Sequence, residues 1–142
     1  MTRRRLFVPA ILLGTTHAAT AATLALEVGD GIRAGETVLV SVYDSEASWM
    51  QKAAQSIQAK APADLAKPGK HTVTIDTLPP GRYAVVVYVD RNGNGKLDRG
   101  MFGRPTEPYG FSNGGGAFGP PDFGDAAFEL ASDGSSIRIP LN

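Results

Sequence analysis

Cysteine is missing from all 142 residues, which removes disulfides, thiolate metal sites, thiol nucleophiles and lipidation on an N-terminal cysteine together. Histidine is nearly missing. Beyond His17 only His71 remains, so a histidine-rich zinc centre or a Ser-His-Asp triad would have to rest on that single residue. No apolar run is long enough to span a bilayer, since Leu6 to Leu13 is too short. A clustered lysine and arginine face is also lacking, so there is no electrostatic footprint for a phosphate backbone. Nucleic acid is therefore not an expected partner, and much enzymology is excluded before any motif is considered.

What is present begins with an export signal. Arg3, Arg4 and Arg5 precede the apolar run, and small residues end it at Ala19-Thr20-Ala21, the order of a basic region, a short apolar region and an A-x-A cleavage site. The expected division is a cleaved signal peptide over 1–21 and one mature domain over 22–142, exported to the periplasm or beyond the cell. The whole sequence balances 14 basic against 14 acidic residues. Without the three leader arginines the mature chain is acidic by about 3 charges. About 120 residues suffice for one core without covalent staples.

Strand patterns dominate that domain. Thr37 to Tyr43 sets Val38, Val40 and Val42 on one face and Leu39 and Tyr43 on the other, as in a largely buried strand. Thr23 to Val28 forms a shorter strand before Gly29-Asp30-Gly31. His71 to Asp76 alternates, so Val73 and Ile75 face a core while Thr72 and Thr74 face water. Arg82 to Val89 is apolar on both faces, with Tyr83, Val85, Val87 and Val89 opposite Ala84, Val86 and Tyr88, which predicts a central strand. Ala126 to Leu130 and Ser136 to Leu141 close the chain, the latter an edge because Pro140 cannot donate to a ladder. Helical spacing of Trp49, Ala53, Ala54 and Ile57 predicts one short helix over Ser48 to Ala59. The expected fold is all-β, a single Ig-like or prealbumin-like antiparallel β-sandwich with one short helix and a long glycine-rich loop.

That loop runs from Asp90 to Asp125 and holds ten of the 17 glycines. Met101, Phe102, Tyr109, Phe111, Phe118 and Phe123 within it would gain by packing, so the expectation is an ordered loop over one end of the sandwich rather than disorder. Its first residues carry the sharpest chemical pattern. Calcium takes six to eight oxygens, and short Asp and Asn side chains at alternating positions of a tight loop can supply them. With Asp90 at position one, Asn92 and Asn94 fall at three and five, Gly95 at six, the Lys96 carbonyl at seven and Asp98 at nine. Position twelve is Met101 rather than a bidentate glutamate, no helices flank the loop, and Glu107 is the nearest acid able to close the site. The metal candidates are thus Asp90, Asn92, Asn94, Lys96, Asp98 and Glu107, with calcium as the cofactor, structural in role and bound on the order of 0.1 to 1 mM. A plain turn is the competing reading. It accounts for the two Asn-Gly pairs but not for acids at both one and nine.

Pro79-Pro80-Gly81 followed by Tyr83 has the form of a tyrosine corner, an architectural role. Gly114 to Gly119 satisfies G-x-G-x-x-G, but no strand leads in and Pro120-Pro121 follows where a helix should start, so it is not a nucleotide loop. Tyr109, Phe111 and Asn113 are the candidates for a platform that takes a glycan or another small ligand. A small core beneath the loop is the plainer reading for the same aromatics. A hydrolase would need carboxylates such as Asp98, Glu107 or Asp122 as acid and base. No nucleophile and base set is evident, so the protein is read as not an enzyme.

Pro80-Gly81-Arg82-Tyr83-Ala84, the Asp90 to Asp98 loop and Tyr109-Gly110-Phe111-Ser112-Asn113, with Pro105 and Pro120-Pro121-Asp122-Phe123, resemble a family of exported bacterial proteins, domain of unknown function 2141. The resemblance covers nearly the whole mature chain and departs chiefly at Arg104 and the triple glycine Gly114 to Gly116. It implies one small secreted or periplasmic domain, sandwich-like, without an assigned catalytic activity. The combined expectation is a non-enzymatic exported module, calcium-stabilised, acting in binding or structure at the cell envelope on a component that the residues do not identify, whether glycan or protein.

Overall fold

The computed structural model describes residues 20–142; the expected signal peptide falls, except for its last two residues, outside them. The described chain forms eight strands: β1 (Ala22–Ile32), β2 (Thr37–Tyr43), β3 (Gln55–Lys60), β4 (Gly69–Leu78), β5 (Gly81–Asp90), β6 (Tyr109–Phe111), β7 (Phe128–Leu130) and β8 (Ser135–Ile139). They make two sheets. One is ordered β4-β1-β8, the other β3-β2-β5-β6, with β7 pairing the start of β5 beside β6. The fold is an all-β sandwich, as the alternating patterns predict.

Period-two alternation explains what fills it. Leu24, Leu26 and Val28 of β1, Val73 and Ile75 of β4 and Ile139 of β8 meet Val38, Val40 and Val42 of β2 and Tyr83, Val85, Val87 and Val89 of β5 in one core. Thr72 and Thr74 face outward, as expected. β5 is central, paired with β2 along one edge and with β6 and β7 along the other. Its second face, Ala84 and Val86, carries a smaller core with Tyr43, Phe111, Phe123 and Ala126, against which Trp49 packs. The Trp49 indole stands edge-on to Tyr43 and donates to the Pro121 carbonyl at 2.9 Å. Tyr83 reaches back to donate to the Pro79 carbonyl at 2.9 Å, the tyrosine corner read from Pro79-Pro80-Gly81.

Three expectations need correction. No helix covers Ser48 to Ala59: residues 45–51 turn, and Gln55–Lys60 pairs antiparallel with β2 from Thr37↔Lys60 to Val42↔Gln55. Ile57 and Ala59 pack on the main core from this strand while Ser56 and Gln58 stay exposed. Unpaired backbone groups along β2 made the strand more favourable than a short helix in water. The single short α-helix, α1, is instead Phe123–Ala126. β8 does lie at an edge, but it pairs parallel to β1, from Leu24↔Ser135 to Val28↔Ile139, the exception in an otherwise antiparallel sandwich. The long loop is ordered, yet it is not all loop, because Tyr109–Phe111 joins β5 through Val86↔Phe111 and Tyr88↔Tyr109.

Candidate loop site at the end of the central strand

β5 ends at Asp90, where the chain leaves the sheet with its carboxylate nearly buried. Both carboxylate oxygens are used by the following loop. Oδ1 accepts from the backbone of Gly93 at 2.7 Å and Asn94 at 3.2 Å, and Oδ2 from Gly95 at 2.7 Å. Gly93 and Gly95 both have φ of +76°, which lets their N–H groups turn inward at low steric cost. Desolvation pushes the Asp90 carboxyl upward, but the N–H groups of Gly95, Gly93, Asn94 and Asn92 outweigh it and hold the group below its ordinary value.

The side chains at alternating positions converge, as the spacing predicts. Asn92 and Asn94 each accept a backbone N–H two residues on, from Asn94 at 3.1 Å and Lys96 at 3.0 Å. Their amide nitrogens both donate to the Asp98 carboxylate, Asn92 through Oδ2 and Asn94 through Oδ1. Glu107 lies behind this ring, buried, clamping its two ends: it accepts from Arg91 N at 2.8 Å and Asp98 N at 3.0 Å. Asp90, Asn92, Asn94, Asp98 and Glu107 are therefore brought together, Glu107 at the base of the loop rather than across its mouth. Lys96 is exposed, and its N–H helps to orient Asn94. Among the described residues no three of His, Cys, Asp and Glu form a group able to hold a metal ion. A cation here would depend on amide and carbonyl oxygens beside carboxylates, the hard-oxygen chemistry of calcium rather than the N/S chemistry of zinc.

The aromatic candidates serve elsewhere. Phe111 is buried in the smaller core, and Tyr109 donates to the Gly116 carbonyl at 2.7 Å. Asn113, at φ +61°, donates to the carbonyls of Asp125 and Ala127 at 3.0 and 2.9 Å. Between them Ser112 is fully buried: its Oγ accepts from Val85 N at 2.9 Å and donates to the Ala126 carbonyl at 2.5 Å. Tyr109 to Asn113 thus fastens the long segment to β5 and α1. Beside it opens a cleft of about 600 Å³ whose walls include Met50, Arg99, Arg104, Tyr109, Phe111 and Phe118.

One surface was not foreseen from composition. Of the apolar side chains expected to pack beneath the loop, Tyr109, Phe111 and Phe123 do so, but Met101, Phe102 and Phe118 are 80%, 95% and 107% exposed. Hydrophobicity alone does not say which aromatics a short loop can bring to the sheet. The detectable signal was position, since Phe102 and Phe118 lie in glycine-flanked stretches with no alternation.

The family model described as "Uncharacterized protein conserved in bacteria (DUF2141)" matches residues 30–138. The chain belongs to that family, as the Asp90 to Asp98 loop and the Tyr109 to Asn113 motif suggested. No curated protein and no solved structure matches it.

Proposed function

We propose that this family member is a non-catalytic exported sandwich whose Asp90 to Asp98 loop takes one calcium ion, and that it acts through binding or structure at the cell envelope. The observation that supports the ion is the convergence of the Asn92 and Asn94 amides on the Asp98 carboxylate, in the loop that the Asp90 carboxylate anchors. The two amide N–H₂ groups there stand against a carboxylate. Each amide oxygen accepts one backbone N–H, from Asn94 or from Lys96, and keeps a second lone pair that a cation can take. Calcium does for this cysteine-free chain what a cross-link does elsewhere, pinning a long glycine-rich segment to the end of β5. The basic, apolar and small-residue order of residues 1–21 supports export. In this reading Tyr109, Phe111 and Asn113 hold the segment in place.

The test is thermal unfolding in chelator, in magnesium and across a calcium titration. At calcium ten to a hundredfold above a dissociation constant on the order of 0.1 mM, native-state binding adds about 1.4 to 2.7 kcal/mol, a rise of about 5 °C or more. Asp98→Asn should abolish that rise while leaving the midpoint in chelator nearly unchanged. A midpoint indifferent to calcium would reduce the loop to a turn.

A further inference from the structure

The exposed large apolar side chains of the described residues are Met50, Met101, Phe102 and Phe118, and all belong to segments bordering the same cleft. Met101 and Phe102 form the tip of a narrow excursion closed by the bridge between Arg99 and Pro105. Phe102 holds φ +61°, a left-handed conformation costly for a bulky side chain. Inside the folded chain nothing offsets that cost, because the ring lies 95% in water. The base of the tip is hydrogen-bonded internally. Gly100 N donates to the Arg104 carbonyl at 2.8 Å, Gly103 N to the Gly100 carbonyl at 3.2 Å, and Arg99 Nη1 to the Gly103 carbonyl at 2.9 Å.

Charge narrows the partner. Arg99 and Arg104 flank the apolar tips, no carboxylate lines the cleft, and Arg104 makes no side-chain hydrogen bond or ion pair among the described residues. In a chain whose domain is acidic overall this is a local positive rim. We propose that this face seats the domain on an anionic lipid surface, with Met101, Phe102 and Phe118 entering the interfacial region and Arg99 and Arg104 meeting phosphates. Separate protruding side chains suit a partner without fixed shape, and a hydrated headgroup region can still satisfy the backbone groups at the tip. Aromatic rings and snorkelling arginines are the side chains a headgroup region accommodates.

The experiment is cosedimentation in chelator, so that an ion in the Asp90 to Asp98 loop plays no part and the two proposals fail independently. The chain from Thr20 onward, which holds every strand of both sheets, is mixed with vesicles of phosphatidylglycerol and phosphatidylcholine or of phosphatidylcholine alone. Binding to the anionic vesicles is expected to fall about tenfold or more in the double variant Phe102→Ser/Phe118→Ser and about fivefold in Arg104→Gln, with unfolding midpoints unchanged. Equal binding to both vesicle types, or no binding to either, overturns the proposal. So does concentration-dependent dimerisation that the double variant abolishes without vesicle binding, which assigns the patch to a second copy of the chain.

Discussion

Asp90, Glu107 and Ser112 are the buried polar side chains among the described residues, and all three lie where the long segment meets the central strand. None leaves a buried side-chain polar atom without a partner. Removing such a partner costs about 1 to 3 kcal/mol because the orphaned group loses water as well, so these contacts bind the segment in one geometry. Asp90 makes this testable by pH. Its carboxyl holds a proton more weakly folded than unfolded, so its contribution is complete above the ordinary carboxylate range and is lost as pH falls through the depressed value. The unfolding midpoint should therefore drop on acidification below about pH 4. Asp90→Asn, which sets an N–H₂ against backbone donors, should be destabilised at neutral pH and converge with the parent in acid. A parallel acid slope in the variant would assign the titration elsewhere, first to Glu27, whose carboxyl is held low by hydrogen bonds from Lys70 and Arg138 across the other sheet.

Among the strands, β6 and β7 are the shortest, at three residues each, and β6 is tightly constrained. Gly110 lies so close to the chain after β8 that a Cβ there would collide with the Pro140 carbonyl oxygen and crowd Ile139 at 2.9 Å. Asn142 N donates to the Tyr109 carbonyl at 2.8 Å in the same place, joining the two sheets at one end. Gly110→Ala should lower stability to urea by about 1 to 3 kcal/mol, whereas Gly124→Ala in α1, where only the end of the Arg82 side chain is near, should change it by less than about 1 kcal/mol. Equal effects would show that the close approach does not matter. Elements with strict alternation, β2, β4 and β5, were legible in sequence because one or both faces are apolar throughout. β3 was not, because Trp49, Ala53, Ala54 and Ile57 also fit a helical period, and nothing local reveals that β2 has an open edge beside them. The parallel partner of β8 is likewise a non-local choice that alternation cannot express.

At the scale of the molecule, a two-sheet sandwich holds its main core between the sheets and a second, smaller core outside β5, and the segment after Asp90 covers the latter. The positions of Asp90, Asn92, Asn94 and Asp98 were legible from spacing alone, since side chains at alternate residues of a tight loop turn to the same side. The part played by Glu107 was only half legible: its acid was noted, but its clamp on Arg91 N and Asp98 N depends on β6 returning to the sheet. The exposure of Phe102 and Phe118 was only faintly legible, in their glycine-flanked stretches without alternation, for a packed and an unpacked phenylalanine otherwise look alike in a sequence. Among the described residues no helix is long and apolar enough to cross a membrane. The central claim is the ion, and the most direct measurement follows backbone amide resonances during a calcium titration. The account predicts one saturable transition on the order of 0.1 to 1 mM, with shifts concentrated from Asn92 to Asp98 and absent in Asp98→Asn. Small unsaturable drifts spread over acidic surface residues, unchanged in that variant, would contradict it.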